Sequence, residues 1–140
     1  MADLRMELPS VVAVLAPADV CDRLVSPVGA SLLRVAPREV LLVGPVDMAA
    51  VGAVVGGSGL VVDVSDGWVA LVLEGVDAPE AFARIRELEL PERGWIQGEV
   101  ARAAAKVLVE PGRIAVHVPA MLASHVEERI RIDAAEAVAT

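Results

Sequence analysis

The sequence predicts an α+β fold, with a mixed or antiparallel sheet and helices packed on one of its faces. Three observations point there. Short apolar runs recur along the chain and are bounded by Gly, Pro and Asp, as strands in a compact domain are. The segment 61–82, VVDVSDGWVALVLEGVDAPEAF, reads as a strand, a tight turn at Asp66-Gly67, a second strand and the start of a helix. The closing segment 119–135 places Leu122, Val126 and Ile130 on one helical seam, with Glu127, Glu128 and Arg131 towards water. An open sheet with helices on one face buries such a set.

Taken in order, residues 1–33 form an irregular leader, with a short strand at 11–15 and one helical turn at 19–24. It is a candidate arm for a partner. A single α+β domain is expected over 34–135, followed by a tail at 136–140. Glu39–Val43 reads as a buried strand, Asp47 as the cap of a helix over Met48–Val55, and Gly56-Gly57-Ser58-Gly59 as its stop. A strand over 60–64 follows. In the next strand Trp68, Ala70, Val72 and Glu74 share one face and Val69, Leu71 and Leu73 the other, which predicts a central strand. Gly75 breaks it. Asp77 stands where an N-cap accepts the free amides of a helix, and Pro79 suits the first turn. That helix is expected over 79–88, with Phe82, Ile85 and Leu88 inward. Residues 90–98 read as an irregular connection that puts Trp95 in a loop. Over 100–110 the pattern alternates, with Ala101, Ala103, Ala105, Val107 and Val109 on one face and Arg102, Lys106 and Glu110 on the other. Pro111-Gly112 then turns the chain into a return strand over 113–118.

Composition narrows the function classes. The chain has 140 residues, 56% of them hydrophobic, yet only Trp68, Trp95 and Phe82 are aromatic. A net charge of −8 offers no basic patch to nucleic acid or to an anionic membrane surface. One cysteine, Cys21, rules out an internal disulfide framework and fits a cytoplasmic setting. No signal peptide is expected, and residues 40–62 are too interrupted by Pro45, Asp47 and glycines for a membrane span.

No motif forms a catalytic constellation, so no catalytic residue and no metal site is expected. The glycines at 56–59 follow a helix and precede a strand, the reverse of a phosphate loop, and no Lys stands near. Asp63 and Asp66 lack a third group for acid–base work, and Asp66 is explained by the turn. His117 and His125 lack companions for a metal, and His117 falls opposite the apolar Ile114, Val116 and Val118, as a surface or interface residue. Cys21 has no His or Lys beside it to lower its pKa. Trp68 and Trp95 are each an anchor for burial or for a partner, and Trp95 followed by Ile96 suggests docking either back onto the core or onto another chain, so Trp95, Ile96 and His117 are the candidate interface residues.

The segment RVAPREVLLV at 34–43, followed after a short helix by the 61–82 segment, resembles the gamma subunit of heterotetrameric sarcosine oxidase. That subunit belongs with the folate-binding aminomethyltransferases, which include the glycine-cleavage T protein. The resemblance rests on Pro37, Glu39, Leu41 and Leu42; on Val62, Asp63, Val64 and Ser65; and on Leu73, Gly75, Asp77 and Ala78. It covers about residues 32–130. The chain departs from the family in lacking the catalytic aspartate region. Glu89-Leu90-Pro91-Glu92 also stands where gamma subunits often carry Cys-Pro.

The resemblance implies an aminomethyltransferase-like domain acting as a non-catalytic accessory subunit of a flavin-dependent N-methyl amine oxidase or dehydrogenase. It implies larger oxidoreductase partner subunits carrying FAD, FMN, NAD or tetrahydrofolate, with no cofactor bound by this chain. The alternative is a minimal folate-binding, one-carbon transfer module acting alone. Asp63, Glu99 and Arg102 are its candidate site, an acidic group for the pteridine and a basic one for the glutamate tail.

Overall fold

The computed structural model describes residues 1–84 and 89–139. The chain divides into two compact units, Met1–Leu8 with Gly67–Thr140, and Pro9–Asp66. The expected α+β class, antiparallel pairing and helices on one sheet face hold, but there are two sheets where one was expected. The division also replaces the expected leader, single domain and tail.

The unit Pro9–Asp66 contains β2 (Val11–Leu15), α1 (Ala18–Asp22), β3 (Ser31–Ala36), β4 (Glu39–Val43), α2 (Met48–Val55) and β5 (Leu60–Asp63). Its antiparallel sheet runs β3-β4-β2-β5. Val12, Val14, Val40 and Leu42 bury one face against Val20 and Cys21 of α1 and Val51 and Val55 of α2. Asp47 caps α2 as expected, accepting from the amides of Ala49 (3.0 Å) and Ala50 (3.3 Å). Gly59 is required by a close approach: a Cβ there would lie 2.3 Å from the Leu15 carbonyl oxygen. Cys21 is a buried free thiol.

The other unit contains β1 (Asp3–Glu7), β6 (Trp68–Glu74), α3 (Ala78–Ala83), β7 (Gly94–Val100), β8 (Ala103–Glu110), β9 (Arg113–Pro119) and α4 (Ala123–Asp133). Its antiparallel sheet runs β1-β6-β9-β8-β7. Leu71, Leu73, Val107, Ile114 and Val116 meet Phe82 of α3 and Val126 and Ile130 of α4 in one core. The apolar seam of the closing helix holds at Val126 and Ile130, with Leu122 in a 3-10 turn just before it, and the alternation holds over β8; Ala101 and Arg102, expected to continue that strand, instead form the turn between β7 and β8. Of the expected 79–88 helix, the inward Phe82 is fully buried, and Ile85 and Leu88 lie outside the described residues.

Several expectations are corrected. The leader is more regular than expected: β1 and the start of β3 join the expected short strand, β2, and helical turn, α1, within residues 1–33. The segment 94–100 is a strand, and Trp95 lies on it. Asp66-Gly67 does turn the chain, within a 3-10 turn, but β5 and β6 are not a hairpin: β5 pairs with β2, whereas β6 pairs with β1 and β9. Asp77 holds the N-cap position of α3, yet its carboxylate meets the Met1 ammonium at 2.9 Å and caps no amide. The expected tail is packed, with Ala137 and Val138 buried and Val138 bridged in parallel to Ala2. Arg131 does not simply face water; it donates to the carbonyls of Ala139 (3.2 Å) and Leu4 (3.3 Å).

The two units share one plan. Without β7, the order β8-β9-β6-β1 matches β3-β4-β2-β5: β6 and β2 are each followed by a helix, two strands and a helix, and the place beside them is taken by β1 in one unit and by β5 in the other. This is the split β-α-β arrangement of ferredoxin-like folds. No membrane-length apolar helix is present among the described residues.

Candidate functional site

On β6 the side chains alternate between two environments. Val69, Leu71 and Leu73 enter the helix-covered core, and Ala70 and Val72 form a second cluster with Ala115 on the opposite face. Residues directly opposite one another across antiparallel strands share a face. Two rows therefore cross this helix-free face. One runs Arg5, Val72, Ala115, Leu108, Trp95, and the next runs Glu7, Ala70, His117, Lys106, Gln97.

The sheet register thus brings Trp95 and His117 to one face in neighbouring rows. Ile96 takes the other face and packs partly buried against the main core, so the expected trio is split. Trp95 is half-buried and His117 is only 5% exposed, which corrects its expected surface position. Its Nδ1 has no hydrogen-bond partner among the described residues. Burial pushes the His117 pKa down, and the nearby Arg113 charge adds to that shift.

The charged side chains around these rows largely engage one another. Arg5 reaches Glu74 at 2.6 Å, Arg113 reaches Glu7 at 2.7 Å, and Lys106 donates to Gln97 at 3.1 Å. The Arg5 guanidinium holds the Glu74 carboxyl below its ordinary value. These groups are solvent-exposed or partly so, and each pair contributes little to stability.

The candidate folate residues are not gathered within one unit. Asp63 belongs to Pro9–Asp66, where its carboxylate accepts from the Ser65 amide at 3.0 Å. Hydrogen bonds from Ser65 hold its pKa down. Glu99 and Arg102 belong to the other unit and line separate hollows. Glu99 stands with Gln97 and Lys106 over β7 and β8, and Arg102 stands with His125, Arg129 and Asp133. Sequence reasoning did not single out Arg129 and Asp133. The signal was available, because His125, Arg129 and Asp133 are four apart and share one face of α4. Among the described residues, no group of three or more His, Cys, Asp or Glu side chains could hold a metal ion.

No family model and no curated protein matches the sequence. Solved structures do match. A chain of the heterotetrameric sarcosine oxidase from Corynebacterium sp. U-96, in complex with pyrrole 2-carboxylate, aligns with a TM-score of 0.76 and 18% identity, over 98% of this chain and 85% of that one. The ligand-free regulatory subunit of aspartate kinase from Thermus thermophilus aligns with a TM-score of 0.52 and 14% identity, over 95% and 97% of the two chains. Identities this low speak to the fold alone. Within that limit the expected gamma-subunit-like architecture is borne out, and the chain has the fold of a heterotetrameric sarcosine oxidase subunit.

Proposed function

We propose that this chain is a small, non-catalytic subunit of a multisubunit, sarcosine-oxidase-like assembly that oxidises an N-methyl amine. The observation that carries this reading is the end-to-end likeness, over 98% of the chain, to a chain of an enzyme that works as a heterotetramer. The side-chain chemistry supports a packing role. Arg5, Glu7, Glu74 and Arg113 are spent on one another, and the Asp63 carboxylate is spent on a turn. In this reading the larger, cytoplasmic partner subunits hold the flavin, nicotinamide and folate. The half-buried Trp95 contributes to the contact with them, because a partly exposed aromatic gains most from further burial.

The test is to look for large oxidoreductase subunits among the neighbouring reading frames and to co-express them with and without this chain. Assembly and N-methyl amine turnover are expected to fall when it is omitted and to return when it is added back. Unchanged assembly and turnover would overturn the reading. Titration of the isolated chain with tetrahydrofolate is expected to give no binding tighter than that of a simple dicarboxylate, and much tighter binding would instead favour the one-carbon module.

A further inference from the structure

The turn between β7 and β8 has two central residues, Ala101 and Arg102, with φ of 51° and 67°. Two left-handed residues are what a two-residue hairpin of this kind requires, and Asn-Gly is the pair that adopts them at least cost. Here an alanine and an arginine hold the strained conformation instead. Its effect is positional. The turn sits against α4, and Ala101, Arg102, His125, Arg129 and Asp133 line a groove of about 340 Å³.

Three nitrogen-bearing side chains therefore converge in a protein of net charge −8. Arg102 has no hydrogen-bond or ion-pair partner among the described residues. Arg129 is held by Asp133 through contacts of 3.0 and 3.2 Å. That pair is solvent-exposed and four residues apart on a helix, so an incoming anion can displace it at small cost. Two guanidinium forks with an imidazole beside them suit the planar or tetrahedral oxygens of a carboxylate or a phosphate.

We propose that this groove binds a small oxyanion, a phosphate or carboxylate compound, gripped by Arg102 and Arg129 with His125 as a further donor. The site is independent of the assembly role proposed above and can be tested on the isolated chain.

Calorimetric titration with inorganic phosphate, and separately with succinate, each against sodium chloride of equal ionic strength, tests it. Saturable binding of either anion beyond the chloride response supports the site, and the anion that binds identifies the head group. Arg102→Gln and Arg129→Gln are each expected to weaken binding on the order of tenfold, whereas Asp133→Asn tightens it by freeing Arg129. The double change Ala101→Asn with Arg102→Gly guards against misfolding as an explanation: it is expected to raise Tm by relieving the turn while weakening the anion response as much as Arg102→Gln does. A response equal to that of chloride, or binding unchanged by both arginine substitutions, would overturn the proposal.

Discussion

The unit Pro9–Asp66 completes its sheet from within, because β5 follows α2 directly and pairs beside β2. The other unit has the same plan but fills the equivalent place with β1, from the far end of the sequence. The stretch after α4, where a last strand would be expected by analogy, makes only a single parallel bridge from Val138 to Ala2. The place beside the first strand of each unit is thus a slot defined by exposed backbone donors and acceptors. In one unit a strand next in sequence occupies it, and in the other a strand distant in sequence does. The borrowed strand brings long-range closure: Arg5 and Glu74, ion-paired across it, are 69 residues apart in sequence.

The two units also differ in how their cores are filled, and substitutions can sharpen the contrast. Phe82 is the only phenylalanine, is fully buried, and anchors the unit with the borrowed strand. Phe82→Ala is expected to cost about 3–5 kcal/mol, measured by urea unfolding followed by the emission of Trp68 and Trp95, both of which lie in that unit. A loss well under 1 kcal/mol would mean that the core there is looser than its burial implies.

Arg131 tests the borrowed strand directly, since it ties α4 to the carbonyls of Leu4 and Ala139. Arg131→Ala is expected to cost about 1.5–3 kcal/mol and to speed hydrogen exchange at the β1 amides. Unaltered exchange at β1 would show that the strand is held by its ladder alone.

His117 supplies a pH dependence. Its folded pKa lies below the ordinary 6.5, so the unfolded chain takes up a proton before the folded chain does. Stability from this group is therefore present above 6.5 and is lost as pH falls from there through the folded value. The slope is at most about 1.4 kcal/mol per pH unit. The difference in unfolding free energy between pH 7 and pH 5 is expected to shrink in His117→Gln, and an identical pH profile in that variant would refute the assignment.

The smallest effect belongs to the self-contained unit. Asp47→Ala removes the α2 cap and is expected to cost about 1 kcal/mol, read as an ellipticity-monitored shift in unfolding midpoint. Exchange at β1 is expected to stay as in the wild type.

Local chemistry was legible in the sequence, and partner choice was not. The Asp47 cap, the double-sided β6 and the α4 seam follow from residues close together in the chain, and all three are found. β7 was overlooked because Gly94, Gln97 and Gly98 are weak strand formers, and its pairing with β8 supplies what propensity lacks. Asp66-Gly67 is a hairpin signal that tertiary pairing overrode. β1 shows an alternation of Leu4 and Met6 with Asp3, Arg5 and Glu7, which in so short a segment is a faint signal. At the groove, Arg102 was named for a different set. Its real neighbours come from α4, and only the folded hairpin brings them near.

Translation makes the borrowed strand wait. β1 leaves the ribosome before β6, which emerges only after Pro9–Asp66 has been made. During that interval its hydrogen-bonding groups face solvent on both sides, a state that invites pairing with the wrong chain. Asp3, Arg5 and Glu7, spaced along the strand, are the kind of charged residues that blunt an edge strand against mispairing.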